Sequence, residues 1–395
     1  MRKTFQYRLK PTASQERQLH ATLSACRFVY NWGIEDRKNL WERCGVSTNF
    51  FDQSKFLTHL KELQPFLKSV HAHPLQDALK RVAFAYDGFF DRGNGYPRFK
   101  GRYLYKSFTF KEWGNGAKFD GKRLELSKIG RVRINLHRPI EGEIKTCTIK
   151  RRADGWYALF SAEVSTPWRS INENPALGVD VGILSFAAFS TGDLIDNPRY
   201  LIAQERALRV AQRKVSHRTK GSSRRRKAAD HLALIHLLIS RQRRDFHFKT
   251  AKKIVDRSSA VFFEKLNVSG MMKNHCLAKY ISDVSWSSFL GILSRSAESA
   301  GVAYMAVEAP GTSQECVCGE PVLKDLSVRI HRCPKCGLVE DRDVVSAKIV
   351  LARGLGRPVG EDAGCNKRPT TRETAGDLAR ADCHVLFQRV LSANL

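Results

Sequence analysis

Three acidic residues that close or follow short apolar stretches most constrain how this chain can fold. They are Asp180 in LGVDVGI, Glu264 in AVFFEKLN and Asp343 in EDRDVVSA. The whole chain has a formal net charge of +28, and such a basic protein attracts phosphate backbones. A buried carboxylate cluster within it would be unstable unless cations neutralised the acids. The pattern favours a metal-dependent nuclease, because carboxylates that hold two divalent ions commonly serve phosphodiester hydrolysis.

The apolar segments that carry these acids follow one another in an order typical of an RNase H-like α/β layer. LGVDVGI and AAFSTGD (187–193) predict two strands, and residues 200–257 predict long helices. The β-branched and aromatic segment 258–267 predicts a buried strand, and residues 303–309 predict another. A strand–strand–helix–strand order with acids on the strands indicates this α/β class.

The N-terminal part of the chain, before these segments, shows a different pattern. The alternating segment TFQYRLK predicts a strand, and a helix should begin near Thr12 with Gln15 completing a capping box. Helical periodicity continues to about residue 90. From about 106 to 166 the period falls to two, which predicts a small antiparallel sheet or barrel that the N-terminal strand completes.

Composition bounds the environment and the partners of the chain. Lys and Arg total 67 against 39 acids, which predicts a nucleic-acid partner, with a membrane surface as the weaker alternative. Apolar runs stay below the roughly 18 residues of a membrane span, and the N-terminus MRKTFQYRLKP has no apolar signal core. We therefore expect a soluble protein of the cytoplasm.

Four of the ten cysteines form two tight pairs, which predicts a metal site rather than a disulfide framework. Four thiolates satisfy tetrahedral Zn²⁺, so one structural zinc ion is expected. His331 lies close enough in sequence to be a substitute ligand, and a metal-free loop is the alternative. The predicted zinc ligands are Cys316, Cys318, Cys333 and Cys336.

Residues 205–257 contain 17 Lys and Arg against four acids. A helix that exposes a solvated charged face is one interpretation of this segment. Blocks of one sign repel one another, so a surface that follows phosphates is the preferred one. Arg243 and its neighbours flank Asp245, so internal pairing of some of them stays open. The residues predicted to bind nucleic acid are Arg224, Arg225, Arg226, Lys227, Arg241 and Arg243.

Many motifs of the chain, in the same order, resemble TnpB, a family of transposon-encoded RNA-guided nucleases related to type V CRISPR effectors. The resemblance runs from about residue 5 to about residue 350. It is carried by YRLKPTASQERQL, CRFVYNW, YPRFKG, GVDVGI, QRRDFHFK, FEKLNVSGMMKN, LAKYISDVSWSSFLGIL, GTSQEC, the cysteine pairs and DRDVVSAK.

This resemblance implies a multidomain protein of α/β and α+β class. Asp180, Glu264 and Asp343 correspond to the RuvC-type catalytic triad of the family and would hold two Mg²⁺ ions. The implied parts are a wedge-type β-barrel (1–11 and 91–170), a helical recognition domain (12–90), a RuvC-like nuclease domain (171–310 and 343–360), a zinc-binding insertion (311–342) and a C-terminal tail (361–395).

Two departures from the family pattern bear on activity. The family usually has Asp-x-Asn-Ala after its last acid, whereas Asp343 is followed by Val344 and Val345, which removes a local side-chain hydrogen bond. Asp341 also competes with Asp343 for the assignment, although Asp343 keeps the register. The first cysteine knuckle is Cys-Val-Cys instead of CxxC, which gives a tighter bite.

The function implied by the resemblance is RNA-guided, Mg²⁺-dependent cleavage of double-stranded DNA next to a short DNA motif. The expected partners are a guide RNA and a target DNA. A monomeric ribonucleoprotein is expected, although the sequence leaves open whether two copies assemble. The expected location is the cytoplasm of a prokaryote, in association with the nucleoid. A repressor that has lost cleavage is an alternative, which Val345 keeps open. A strand-joining transposase is another alternative, because acid count alone does not separate it from a nuclease.

Overall fold

The computed structural model describes residues 1–165, 174–325 and 328–356, which fall into two compact units, one before and one after residue 165. The predicted tail at 361–395 lies outside the described residues. The ends of the predicted wedge (166–170) and nuclease (357–360) segments also lie outside them. Among the described helices, none has an apolar stretch long enough to cross a bilayer.

The first unit combines three α-helices and a short 3-10 helix (Pro65–Ser69) with one sheet of seven antiparallel strands in the order β2-β6-β7-β1-β5-β4-β3. Its elements are β1 (Arg2–Lys10), α1 (Ala13–Cys44), α2 (Phe50–Leu63), α3 (Ala72–Phe90), β2 (Ser107–Phe110), β3 (Ala117–Asp120), β4 (Arg123–Leu126), β5 (Gly130–Asn135), β6 (Glu143–Arg152) and β7 (Gly155–Glu163). The edge strands β2 and β3 do not pair with each other in this unit, so the predicted barrel is a half-barrel.

Local sequence signals explain how this unit is built. The Thr12 side chain accepts from the Gln15 backbone and the Gln15 side chain accepts from the Thr12 backbone, which confirms the predicted capping box. Strand β1 completes the sheet, as predicted; it pairs with β5 and β7, and its inward residues Phe5, Tyr7 and Leu9 are buried. The sheet and the three helices share one apolar core.

The second unit contains a mixed five-stranded sheet in the order β10-β9-β8-β11-β12 and a two-stranded ribbon. Its elements are β8 (Leu177–Val181), β9 (Ser185–Phe189), β10 (Leu194–Asp196), α4 (Tyr200–Ala203), α5 (Glu205–Ser216), α6 (Ser223–Asp256), β11 (Ala260–Lys265), α7 (Val268–Met271), α8 (Ala278–Val284), α9 (Trp286–Ala300), β12 (Ala303–Glu308), β13 (Ile330–Arg332), β14 (Val339–Asp341) and α10 (Arg342–Leu355).

Strand pairing in the second unit confirms the predicted RNase H-like layer. Strands β8 and β9 form an antiparallel pair, whereas β11 runs parallel to both β8 and β12. Helix α10 packs on β8 at Gly178, where an added Cβ would clash with the backbone oxygen of Ala347. A glycine is therefore needed at this point of β8, because the helix backbone comes so close to the strand.

Candidate functional site

Two of the predicted acids lie side by side at one edge of the mixed sheet. The parallel register pairs Phe263 of β11 with Val179 of β8, and Glu264 and Asp180 are the next residues of the two strands. The carboxyl ends of parallel strands meet at one edge, which is where ligands bind in open α/β sheets. The structure thus brings together two acids that are far apart in sequence.

Asp343 reaches the same edge from the first turn of α10. One of its carboxylate oxygens lies 3.7 Å from the position that a Cβ on Gly182 would occupy, and Gly182 follows the end of β8. Asp341 has a different role, because it is the N-cap of α10. Its Oδ1 accepts hydrogen bonds from the backbone N–H groups of Asp343 (2.8 Å) and Val344 (3.4 Å).

Burial raises the cost of ionising each of the three acids, and the charges of the other two add to this cost at Asp180. Poorly solvated surroundings, then the charges of Glu264 and Asp343, raise the pKa of Asp180 well above its usual range. Burial also raises the pKa of Glu264 and of Asp343. A set of carboxylates that resists ionisation together needs cations to neutralise it. Carboxylate oxygens are the ligands that Mg²⁺ prefers, so these donors suit that ion.

Two further side chains contact the acids and were not predicted as site residues. The Thr312 hydroxyl donates a 2.5 Å hydrogen bond to Glu264 Oε1, and an Nη of Arg329 lies 3.8 Å from Asp343 Oδ1. Thr312 belongs to the motif GTSQEC, so the resemblance contained it without giving it a role. Arg329 is one of many basic residues, and no pattern around it distinguishes it.

The four predicted cysteines form a closed group. Their sulfur atoms all lie within 4.8 Å of one another, with Cys316–Cys336 at 3.7 Å and Cys318–Cys333 at 3.6 Å. A tetrahedron with Zn–S bonds of about 2.3 Å has S···S edges of about 3.8 Å. Within the described segments this is the one His, Cys, Asp or Glu group so tightly gathered, and its donors fit zinc.

One cysteine of the group, Cys333, has a lowered pKa, which favours its thiolate form. Burial opposes ionisation of Cys333, but backbone N–H groups of Cys336 and Lys335 donate to its sulfur, and the pKa of Cys333 falls to about 7. Burial raises the pKa of Cys316, which would need a metal to become a thiolate. The four sulfur atoms lie close together even though the first pair has the tight Cys-Val-Cys spacing.

His331 and Val345 are both buried near the cysteine group, and neither is placed as a ligand of it. His331 is fully buried, and its Nδ1 contacts Lys324 Nζ at 2.5 Å, so it is engaged outside the set of four sulfur atoms. Val345 is 1% exposed and belongs to the apolar cluster that contains Cys316 and Cys333. The valine that replaces the family's asparagine thus packs beneath the cysteine group.

The predicted nucleic-acid residues lie on α6 in two environments. Arg224, Arg226 and Lys227 are exposed in its first two turns, and no residue of α6 before Ile239 is buried. Arg225 is half-buried and donates from Nη1 to the backbone oxygen of Arg218 (2.7 Å). This part of the helix presents a basic face to solvent.

The other two predicted residues lie further along α6. Arg241 is exposed, whereas Arg243 is half-buried and donates to Asp283 Oδ1 at 3.1 Å. The side chain of Asp283 is only 3% exposed. This ion pair ties α6 to α8, so the charge of Arg243 is engaged within the unit.

Three family models match parts of the chain. Residues 160–275 match "Probable transposase", and residues 286–350 match "Cas12f1-like, TNB domain". Residues 1–45 match "Helix-turn-helix domain". The structure differs over that last range, where it has strand β1 and one unbroken helix, α1.

Two curated relatives match nearly the whole chain. A protein of Streptomyces pristinaespiralis named "Putative RNA-guided DNA endonuclease" is 33% identical over 390 residues, which cover 94% of each chain. "Putative RNA-guided DNA endonuclease InsQ" of Escherichia coli K12 is 27% identical over 374 residues, or 89% of this chain and 92% of that protein.

Among solved structures, the fold is similar to the protein in "Cryo-EM structure of the Cas12f1-sgRNA-target DNA complex". The TM-score is 0.53 at 13% identity, over 85% of this chain and 82% of that chain. At this identity the likeness concerns the fold.

Proposed function

Because this chain belongs to the TnpB family, we propose that it is a transposon-encoded, RNA-guided DNA endonuclease. It binds a guide RNA that pairs with one strand of a double-stranded target, and it cleaves that target beside a short DNA motif. The observation that carries the proposal is the convergence of Asp180, Glu264 and Asp343 at one edge of an RNase H-like sheet.

The three acids are proposed to be the catalytic residues and the ligands of two Mg²⁺ ions. When bound, such ions supply a nucleophilic water of lowered pKa and stabilise the leaving oxygen of a phosphodiester. The raised pKa values of the acids support this assignment, since bound cations would stabilise the ionised carboxylates against burial and, at Asp180, against the charges of Glu264 and Asp343. Arg329, which is partly exposed beside Asp343, is placed to contact a phosphate oxygen of the DNA.

The cysteine group is proposed to hold one structural zinc ion. A structural site has four protein ligands and no open position, and Cys316, Cys318, Cys333 and Cys336 supply that set. The apolar cluster beneath the cysteines joins the ribbon to α10 through Val345 and Ile349. Zinc would thus hold the insertion against the helix that carries Asp343.

The domain assignments of the family are carried over as part of the proposal. Residues 12–90 would form the recognition domain, and residues 1–11 with 91–170 the wedge domain. Residues 171–310 with 343–360 would form the nuclease domain, around the zinc-binding insertion at 311–342. The exposed basic turns of α6 would follow the backbones of RNA or DNA.

The two alternative functions are less well supported. A repressor without cleavage was suggested by Val345, but this residue packs with the cysteines and all three acids are present. A strand-joining transposase would act without RNA. The reaction products of the protein distinguish the repressor and the transposase from the proposed endonuclease.

The decisive experiment is to sequence the RNA that copurifies with the full-length protein and then to reprogram its guide segment. A discrete RNA from one locus, and cleavage that moves to the new target, are the expected results. Joined DNA strands in the absence of RNA would favour the transposase instead. Guided binding without cleavage at any Mg²⁺ concentration would favour the repressor.

A further inference from the structure

The loop between β12 and the cysteine group, residues 309–315, connects the candidate nuclease site to the last turns of α10. Thr312 at its centre is 4% exposed, and its hydroxyl donates to Glu264, which is 8% exposed. The hydroxyl has one proton to give. Its contact with Glu264 is the shorter of two, since the backbone oxygen of Ala309 lies 3.0 Å away.

Arg353 holds this loop and the end of β12 on α10 through three contacts. Its Nη1 donates to the backbone oxygens of Glu308 (3.1 Å) and Pro310 (2.8 Å), and its Nη2 pairs with Glu315 Oε2 at 2.9 Å. The guanidinium and the carboxylate are both largely covered. A planar, multiply bonded guanidinium fixes geometry more firmly than a single contact would.

Gly311 allows the loop to close around this arginine. Its φ of +88° is in the region that favours glycine, and an added Cβ would lie 3.0 Å from Glu315 Oε1 and 3.2 Å from Arg353 Nη2. A side chain here would strain the backbone and press on the ion pair. The loop conformation that presents Thr312 to Glu264 therefore depends on glycine at this position.

We propose that Thr312 is a positioning residue that fixes the Glu264 carboxylate for metal binding, and that Arg353 keeps Thr312 in place. The inference rests on the proposed nuclease function. One carboxylate oxygen accepts from Thr312, which sets the direction of the other oxygen. Helix α10 then governs two acids at once: it carries Asp343 directly, and through Arg353 and the loop it holds Glu264.

The first test compares Thr312→Val with Thr312→Ser in the complete ribonucleoprotein. Partners that orient a metal ligand typically contribute about 10–100-fold to metal affinity or activity. Thr312→Val should lower single-turnover cleavage by about that factor at limiting Mg²⁺ and raise the Mg²⁺ concentration needed for half-maximal rate. Thr312→Ser, which keeps the hydroxyl, should restore both values to within about threefold of wild type.

Matched controls separate positioning from packing. Thr22→Val removes another buried hydroxyl, one that donates to a backbone oxygen (Gln18, 2.9 Å) in the first unit, and should leave the Mg²⁺ requirement unchanged. Arg353→Met should raise the requirement in the same direction as Thr312→Val. If Thr312→Val does not fold, Arg353→Met and Thr312→Ser still test the proposal. An Arg353→Met protein with the Mg²⁺ dependence of wild type would overturn it. A Thr312→Ser protein whose cleavage rate and Mg²⁺ requirement differ clearly from wild type would overturn it as well.

A readout without DNA cleavage uses Fe²⁺ in place of Mg²⁺, with ascorbate and peroxide, to cut the polypeptide near the bound ion. Wild-type protein should give fragments that end near β8 and β11, and Thr312→Val should give fewer of them. Asp180→Ala is run in parallel. If Asp180→Ala gives the same polypeptide fragments as wild type, the nuclease site itself is misassigned. If Asp180→Ala loses these fragments while Thr312→Val gives as many as wild type, only the role of Thr312 is overturned.

Discussion

The carboxylate site and the cysteine group of the second unit are both clusters of possible metal ligands, but they are built in opposite ways. The cysteines lie within one short segment of the sequence, and all four sulfur atoms lie within 4.8 Å of one another. The acids come from two strands and a helix, and their oxygens do not form so tight a group within the described residues.

Under the proposed function, this difference follows from the role of each site. A structural metal site fills every coordination position with protein ligands, whereas a catalytic site leaves positions for water and substrate. The cysteines sit on an apolar cluster, which favours one rigid arrangement. The acids have Thr312 and Arg329 beside them, and the charges of Glu264 and Asp343 oppose ionisation of Asp180, so under the proposed function cations would complete their arrangement.

The largest effect should come from removing one acid. Asp180→Ala or Glu264→Ala should reduce cleavage at least about 1,000-fold, because one carboxylate fewer prevents correct metal placement. Guide-RNA and target binding should stay close to wild type, since no basic contact is lost. The check is single-turnover cleavage beside a binding measurement, and cleavage at the wild-type rate would contradict the catalytic assignment.

A smaller but clear effect should follow loss of a cysteine. Purified protein should contain about one zinc ion per chain, and Cys333→Ser or Cys336→Ser should contain less and unfold at a lower temperature. Cys44→Ser, which alters an exposed cysteine of the first unit, is the control. Elemental analysis with thermal unfolding tests this. A metal-free protein of undiminished stability would show that the closed group is not a zinc site.

Basic contacts should respond independently of both sites. Replacing Arg224, Arg226 and Lys227 with alanine should flatten the slope of log affinity against log salt by up to about 2.7 units for duplex contacts, or about 2.1 for single strands. Asp180→Ala and Cys333→Ser should leave this slope alone. The measurement is the affinity for RNA and for target DNA across a salt series. An unchanged slope in the triple variant would show that the exposed start of α6 is only a solvated surface.

The smallest effect concerns stability in the absence of divalent cations. A carboxyl group whose pKa is raised by folding favours the folded state at low pH, and this contribution is lost as pH rises through the folded pKa. Asp180 is such a group. With EDTA at pH 7, Asp180→Asn should therefore raise the melting temperature by about 2–4 °C. The gain should shrink towards pH 4, and a pH-independent difference would contradict the electrostatic explanation.

The same contrast explains which parts could be predicted from sequence. Cys316 and Cys336 lie in one short segment, so spacing alone indicated their site. Asp180, Glu264 and Asp343 needed a family resemblance, because long stretches of other sequence separate each acid from the next. The contact of Thr312 with Glu264 could not be predicted, because a hydroxyl has no periodic signature and Glu264 is distant in sequence.

Strand closure in the first unit shows a similar limit. Period-two alternation predicted an antiparallel sheet or barrel from about residue 106 to 166, and the capping box predicted where α1 begins. The pattern does not report whether β2 and β3 pair, because closure depends on tilt and register across the whole sheet. The half-barrel is for that reason a result of the structure alone.

The ion pair between Arg243 and Asp283 affects how a mutational scan of the basic surface would be interpreted. Removing one partner of a buried pair leaves an uncompensated charge, which commonly costs about 3–5 kcal/mol of folding free energy. Arg243→Ala would then lower the yield of active ribonucleoprotein and mimic the loss of a nucleic-acid contact. Engineers who trim positive charge to improve target discrimination should begin at the exposed start of α6 and keep Arg243.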